Sequence, residues 1–494
     1  MKILSFIFLI INYEFFFKIF LKSENYLYFI YELFIYYIII YFVLNLFSFS
    51  KYLTRIWIIL LYFFSLIAIY FINSMGIVID KQVISNIFAT NKSEVRELLS
   101  KEFYIYFLFV LLSIYPFYVI FVRKIEKRLI KAYSKNFIFT IMIFILFTKI
   151  NEPYYRHFIK YDSDSIVPLN FINGVANFIR IHSRKNIRKK QIYKNFKLSL
   201  KEAPDIVIFV IGESARADRF SILGYEKDTS KNLKNIKNLY AFKAISCDTS
   251  TISSVPCMVL RQTRDSFSFP IKESSFVSVF SKYGYETYWL YLQDEARQIK
   301  TFCEEADYCL NVTYFKYDME VLPKIHEIIE KNKNKKVLIV IHTKGSHFDY
   351  NKRVPKEYKI FTPICEKNSL NCKKELLDNS YDNSIYYTNI FLYKLINMIK
   401  NKNSFLLYSS DHGESLGELQ YGIFKRFGHA SPVKIAPKEQ TEVPLLLWGS
   451  DKFLKIHKIK ENQKNVSHDN IFNTILDCSG FKSIMIDKNL SLCK

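Results

Sequence analysis

Three stretches of the chain place ionisable side chains directly after apolar runs. DIVIFVIGES (205–214) ends in Glu213 and Ser214, SFLLYSSDHGES (404–415) carries Asp411 and His412, and KVLIVIHTKGSH (336–347) carries His342 and His347. Glu213, Asp411 and His412 supply two carboxylates and one imidazole from two strand ends. That mixed oxygen and nitrogen set suits Zn²⁺ or Mn²⁺ and leaves a ligand position for substrate or nucleophile. His429 follows soon after His412, and a hydroxyl-rich segment with two cysteines, SCDTSTISSVPCM (246–258), lies between the two halves. A disulfide across that segment would hold its hydroxyls in place. Taken singly, a Glu after a strand is ordinarily a surface or capping residue, a DHG triplet a turn, and a Ser/Thr-rich stretch a surface loop. Together they describe a metal that lowers the pKa of a hydroxyl, makes it a nucleophile, and neutralises charge on a phosphoryl group.

Such residues need a scaffold. The apolar runs at 205–214, 285–293, 336–347, 404–415 and 441–450 alternate with helical stretches such as 318–331 and 380–400. Alternation of this kind predicts an α/β domain over 204–494, with a mostly parallel sheet and helices on both faces. In such sheets the functional residues collect beyond the carboxyl ends of the strands, where Glu213, His342, His347, Asp411 and His412 stand.

The first 150 residues are different, dominated by long runs of Ile, Phe, Leu and Tyr. A bilayer core takes about 20 apolar residues per helix, and five candidate spans can be drawn, at 3–21, 27–48, 56–73, 104–122 and 133–150. The fifth is short, and Lys135 and Lys149 at its ends must snorkel. Segment 3–21 makes a poor signal peptide, because it lacks a small-residue cleavage site and another span follows at once. Lys51 and Arg55, then Arg123, Lys124, Lys127, Arg128, Lys131 and Lys135, mark two loops as cytoplasmic, so five spans deliver the domain that follows to the outside. Residues 151–203 form a connector with aromatic residues and a basic run from Arg184 to Lys197. It reads either as an interfacial helix on the membrane or as a solvated linker.

The formal net charge is +23. Nucleic acid is not the expected partner, because no zinc-finger spacing or RNP-like signature is present. Anionic lipid and a Lys-rich genomic bias both account for the charge. All eight cysteines lie from Cys247 onward. They form local pairs, Cys247 with Cys257, Cys303 with Cys309, Cys365 with Cys372, and Cys478 with Cys493. Without any C-x-x-C pair they read as disulfides in an oxidising compartment, although eight cysteines formally allow 105 pairings.

The segments GESARADRFSILGYEKDT, SCDTSTISSVPCM, FTPICE, SSDHGESLGE and IAPKEQTEVPLLLW resemble those of the phosphoethanolamine transferases of Gram-negative bacteria. These are inner-membrane enzymes of the alkaline phosphatase and sulfatase-like superfamily that decorate lipid A and can confer polymyxin resistance. The resemblance spans essentially the whole chain. It implies a multi-pass anchor, a periplasmic sulfatase-like domain, and transfer of phosphoethanolamine from phosphatidylethanolamine to lipid A or a related envelope acceptor. It implies Thr251 as the nucleophile, Glu213, Asp411 and His412 as ligands of a tight zinc ion with Thr251 completing the site, and His342, His347 and His429 lining a second-metal and substrate region. Lys300 falls where the family has a substrate-contacting lysine. The chain is expected to act as a monomer.

Three departures from the family pattern stand out. Asp248 replaces a usual Gly beside the nucleophile, the run RFGHASP surrounds His429, and Glu295 and Ala296 follow Asp294 where two amides are usual. Three rival readings fit the residues less well. Sulfatase activity needs a C/S-x-P-x-R motif, and Met258 stands in place of that Arg. A glycerol-phosphate transferase shares the spans and the superfamily fold but not the cysteine pairs. A catalytically inactive binding protein would have no use for an intact ligand and nucleophile set.

Overall fold

The computed structural model describes residues 1–13, 16–17, 20, 26–75, 84, 101–125, 142, 145, 149, 166–183, 190–293, 297–366, 372–420, 424–431, 433 and 436–494. They group into two compact units. One takes the described residues up to Arg180 with those of 419–425, and the other takes the rest from Ile181 onward. The division falls inside the expected connector 151–203.

The first unit contains helices α1 (Lys2–Ile11), α2 (Tyr26–Asn45), α3 (Lys51–Met75), α4 (Lys101–Phe117) and α5 (Leu169–Ser183). Among the described residues, Lys51–Asn73 and Glu102–Val122 are long and apolar enough to cross a bilayer, while Lys2–Ile11 and Phe29–Asn45 are shorter apolar helices. Four of the five expected spans therefore overlap helices, and two of these reach spanning length. The fifth, 133–150, lies outside the described residues except at 142, 145 and 149. Pro116 removes a backbone N–H near the end of α4, which passes into a π turn at Tyr118–Val122. A buried polar knot fastens α1 and α2 to the start of α5. The Asn12 amide donates to the carbonyls of Phe8 and Val167 at 2.8 Å, and its Oδ1 accepts the Val167 N–H at 2.9 Å. The Tyr36 hydroxyl donates to the same Val167 carbonyl at 2.7 Å. Polar atoms buried among apolar side chains have to be paired in this way.

In the second unit, strands β1 (Ile206–Gly212), β2 (Leu239–Ile245), β3 (Tyr285–Tyr291), β4 (Tyr308–Asn311), β5 (Lys336–His342), β6 (Ser404–Ser410) and β7 (Glu442–Gly449) form one sheet in the order β2-β7-β6-β1-β5-β3-β4. From β6 to β4 all five strands are parallel. β7 runs antiparallel to both β6 and β2, so the sheet is mixed. The reversal has a simple cause: after β6 the chain makes a hairpin, Ser415–Gln420 with Phe424–Gly428, and re-enters the sheet from the end it has just left.

β1 is buried at every position. Val207, Phe209 and Ile211 face a core with helices α6 (Thr251–Val259), α7 (Phe276–Lys282), α8 (Arg297–Cys303) and α11 (Asp469–Cys478). Ile206, Ile208 and Val210 face a second core with α9 (Leu322–Lys331) and α10 (Lys374–Ile399). Burial on both faces is why this strand reads as a continuous apolar run rather than an alternation. The four local disulfides Cys247–Cys257, Cys303–Cys309, Cys365–Cys372 and Cys478–Cys493 are all formed.

The loop after β1 is tied to α10 by ions. Asp382 is fully buried and takes Arg219 at 3.2 Å, Lys227 at 2.8 Å and the Tyr225 hydroxyl at 3.0 Å. Asp378 takes the other Arg219 nitrogen at 3.0 Å. Removing one member of such a set strands the others without partners. Asp382→Ala is expected to lower unfolding stability by about 3–5 kcal/mol, read from the urea midpoint; an unchanged midpoint would show that the network carries no stability.

Candidate active site

β1, β5 and β6 end level. Gly212 is registered against Ser410, and Ile211 against both Ser409 and His342. Glu213 and Asp411 are thus the first residues past neighbouring strand ends, and His342 is the last residue of the strand on the other side of β1. The turn after Glu213 is strained, with Ser214 in the left-handed region at φ 55°. It is held from several directions. The Ser214 N–H donates to Asp411 Oδ1 at 3.2 Å and its hydroxyl to Glu213 Oε1 at 2.8 Å. The Tyr381 hydroxyl donates to the Ser214 carbonyl at 2.6 Å and accepts the Arg216 N–H at 3.0 Å. The Arg216 guanidinium spans to the other ligand loop, pairing with Glu418 at 2.6 Å.

From below, Ser346 N–H donates to the Glu213 carbonyl at 2.9 Å. Gly345 permits this approach, because it sits at φ 47° and a Cβ there would stand 2.7 Å from that same carbonyl oxygen. Buried Asp318 accepts the N–H groups of Lys344 and Gly345 at 2.8 and 3.0 Å, and burial pushes its carboxyl above the usual range.

Thr251 opens α6, and the Cys247–Cys257 disulfide ties the preceding loop into that helix. Ser254 Oγ donates to the Asp411 carbonyl at 2.6 Å, and Thr249 Oγ1 donates to the Ser431 carbonyl at 2.5 Å. The carboxylate of Asp248 accepts the N–H of Thr249 at 2.7 Å, so it caps its own turn. Thr251 Oγ1 ends 3.2 Å from Glu213 Oε2 and 3.2 Å from His412 Nε2.

Glu213, Asp411 and His412 each offer a donor atom within 4.8 Å of the others, and all three are buried. His412 Nδ1 lies 2.9 Å from the Gly413 carbonyl, which places the ring proton there and leaves the Nε2 lone pair facing Asp411 Oδ2 at 3.3 Å and Glu213 Oε1 at 3.4 Å. Asp411 Oδ2 is buried and takes no hydrogen bond among the described residues. Burial and the neighbouring Glu213 charge push the Asp411 carboxyl well above its ordinary range. Burial also opposes ionisation of Glu213, but His412, His347, His429 and the Gln293 amide hold it below the usual range. Two carboxylates at this spacing do not both ionise in a closed protein interior without a cation. The unpaired Oδ2, the outward Nε2 lone pair and the threonine oxygen together fit a four-coordinate Zn²⁺ of mixed oxygen and nitrogen ligation.

The remaining expected site residues divide. His429 packs against His412 with the rings tilted and their centres 4.2 Å apart, its Nδ1 is 2.7 Å from Glu414 Oε2, and its ring centre is 5.8 Å from that of His347. Ala430, next in the unusual RFGHASP run, adopts φ 66° and donates its N–H to the Thr249 carbonyl at 2.8 Å, linking this loop to the nucleophile's. His347 donates Nδ1–H to the Phe348 carbonyl at 2.8 Å; burial pushes it down to about 4, with Glu213 opposing that shift and Arg353 adding to it. His342 is fully buried. Lys300 lies exposed on α8, and residues 294–296 before it lie outside the described residues.

Three contributors escaped the sequence reading. Gln293 reaches both Glu213 and His342, and its position just past an apolar strand was the available signal. Glu414 belongs to the quoted DHGES motif but orients His429 from beneath, with its other oxygen accepting the Tyr350 hydroxyl at 2.7 Å. His468 carries no local signal. It accepts the Cys247 N–H at 3.0 Å and reaches the Ser410 carbonyl at 2.9 Å, joining the nucleophile loop to the end of β6.

A family model described as "Sulfatase" matches residues 205–481, and one described as "Phosphoethanolamine transferase EptA/EptB" matches residues 36–182. The chain belongs to the sulfatase family, and within it to the phosphoethanolamine transferases of the EptA/EptB type. It is 29% identical over 431 residues to the phosphoethanolamine transferase EptA of Helicobacter pylori, covering 83% of this chain and 79% of that one. It is 29% identical over 346 residues to the Kdo(2)-lipid A phosphoethanolamine 7''-transferase of Escherichia coli K12, covering 65% and 60% respectively. Its fold matches that of the integral membrane lipooligosaccharide phosphoethanolamine transferase A of Neisseria meningitidis, with TM-score 0.81 and 24% identity over 99% of this chain and 97% of that one.

Burial holds His468 down to about 3, against an ordinary value of about 6.5. The unfolded chain therefore binds a proton that the folded chain refuses between those pH values. The contribution is fully favourable above about pH 6.5 and is lost as pH falls toward 3, by up to about 1.4 kcal/mol per pH unit. Denaturant titrations across this range should show His468→Gln reducing the slope of stability against pH; an unaltered slope would refute the assignment.

Proposed function

We propose that the chain is a zinc-dependent phosphoethanolamine transferase. It takes the headgroup of phosphatidylethanolamine and passes it to lipid A or a related envelope acceptor through a phosphothreonine at Thr251. The observation that carries this reading is the threonine hydroxyl, 3.2 Å from both a carboxylate and an imidazole of the buried ligand set, at the amino end of a nine-residue helix. The relatives named for this activity support it.

In the first half-reaction Thr251 Oγ1 attacks the donor phosphorus and its proton passes to an imidazole of the site. The bond from phosphorus to the diacylglycerol oxygen breaks, and that oxygen leaves with a proton from an imidazole of the site. In the second, an acceptor phosphate or hydroxyl oxygen attacks the phosphothreonine and Thr251 Oγ1 is restored. Zinc held by Glu213, Asp411, His412 and Thr251 would lower the pKa of the hydroxyl and neutralise charge on the phosphoryl oxygens. The amino end of α6 favours the same anion. The rest of the reading is of a monomeric, multi-pass inner-membrane protein with its catalytic domain in the periplasm, consistent with the loop charges and the four disulfides. Tethering suits an enzyme whose donor and acceptor are both lipids.

With fluorescent phosphatidylethanolamine, the full chain in lipid should release labelled diacylglycerol. Thr251→Ala should reduce that release about a thousandfold or more, and normal turnover by it would remove the nucleophile. Exhaustive chelation should abolish release and added Zn²⁺ restore it, whereas full activity after chelation would remove the metal. Mass spectrometry of lipid A from cells with and without the protein identifies the acceptor, and an unchanged profile would exclude lipid A.

A further inference from the structure

Gln293 lies two residues beyond the end of β3, half-buried, and its side chain enters the site. Its Nε2 is 2.8 Å from Glu213 Oε2 and 2.8 Å from His342 Nε2. An ionised carboxylate only accepts hydrogen bonds, so the amide atom facing Glu213 is the nitrogen and not the oxygen. That nitrogen carries two N–H bonds. One is spent on Glu213 and the other points at His342, whose Nε2 must therefore present a lone pair. The ring proton of a neutral His342 then sits on Nδ1.

The other three histidines of the site carry the ring proton on the same nitrogen. His347, His412 and His429 each direct Nδ1 at an acceptor: the Phe348 carbonyl at 2.8 Å, the Gly413 carbonyl at 2.9 Å, and Glu414 Oε2 at 2.7 Å. For each of them Nε2 is the working edge. His412 spends that edge on the ligand cluster and Thr251. His342 is fully buried, and its Nε2 edge is closed by Gln293.

We propose that Gln293 is a positioning residue that holds Glu213 Oε2 toward Thr251 and locks His342 as the Nδ1–H tautomer. With its Nε2 edge taken by Gln293, His342 is not the group that passes a proton to the departing diacylglycerol oxygen. This deepens the transferase reading and rests on it for its kinetic consequence. The tautomer itself is read from the contacts of Gln293 and needs no turnover. The same amide enters beside positions 294–296, where the chain lacks the pair of amides usual in the family, so Gln293 brings an amide into the site from a different position.

Two measurements on the full chain in lipid bilayers test this. Solid-state nitrogen spectroscopy of ¹⁵N-histidine protein, with His342→Gln used for assignment, should show His342 neutral with its proton on Nδ1, and Gln293→Leu should shift that signature. A wild-type His342 protonated on Nε2 would overturn the proposal. In the kinetic arm, Gln293→Leu should lower kcat about tenfold to a hundredfold, with KM within about threefold and the thermal midpoint within about 2 °C. The double variant Gln293→Leu/His342→Gln should be no worse than the poorer single one, because the two act as a unit. Additive losses, or a raised KM at unchanged kcat, would overturn it and make Gln293 an independent substrate contact. The spectroscopic arm needs no turnover, so a wild-type enzyme inactive on phosphatidylethanolamine would sink the transferase reading without touching the tautomer result.

Discussion

The hydrogen-bond ladder joining β6, β1 and β5 brings three strand ends to one height, and the site is built on that level edge. With Gly212 opposite Ser410 and Ile211 opposite His342, the next residues along the chain, Glu213 and Asp411, emerge side by side. A slip of one residue would turn every side chain of a strand to the other face and separate the ligands. Packing favours this register: Val207, Phe209 and Ile211 fit one helical layer and Ile206, Ile208 and Val210 the other, and a slip would exchange the two sets between differently shaped cores. Apolar burial far from the chemistry thus determines the spacing of two carboxylates and an imidazole.

That spacing is costly without a cation, and the surroundings show how the cost is sustained. Ser214 adopts a left-handed turn that a β-carbon disfavours, yet its N–H, hydroxyl and carbonyl are all hydrogen-bonded. Tyr381 reaches the turn from α10, Arg216 ties it to Glu418 of the other ligand loop, and the Asp318-supported turn at Gly345 presses against the backbone of Glu213. Asp411 keeps one oxygen buried and without a hydrogen bond among the described residues. An interior that satisfies nearly every other polar atom of the site and leaves that one open is organised for a ligand. The rest of the GESARADR motif has its reason here, since Arg216 and Arg219 anchor the strained turn rather than touch the chemistry.

Thr251 approaches the cluster from a separate helix, and its placement relies on covalent and polar ties instead of sheet register. The Cys247–Cys257 bridge, Ser254 on the Asp411 carbonyl, and His468 between Cys247 and Ser410 all serve this purpose. Thr249 and Ala430 couple the same loop to the segment bearing His429. The nucleophile, the ligand cluster and the outer histidines are therefore mechanically one assembly, although they come from four separate parts of the chain.

The chemistry of the ligand set was legible in the sequence because GES and DHGES are short, local, and follow apolar runs that only a buried strand explains. The local pairing of the cysteines was legible for the same reason. The edge strand β2 and the short β4 were not, because their side chains are partly exposed and lack a continuous apolar run. Nor was the antiparallel course of β7, whose residues TEVPLLLW read as a buried strand in either direction. Gln293, Glu414 and His468 escaped because each acts through a partner distant in the chain. The sequence by itself determined which side chains could bind a metal and which hydroxyl could attack, because residue type and local spacing carry donor chemistry. Only the tertiary structure decided which atoms face one another, which oxygen is left unpaired and which ring nitrogen is closed, because those follow from register, burial and hydrogen bonds between residues far apart in the chain.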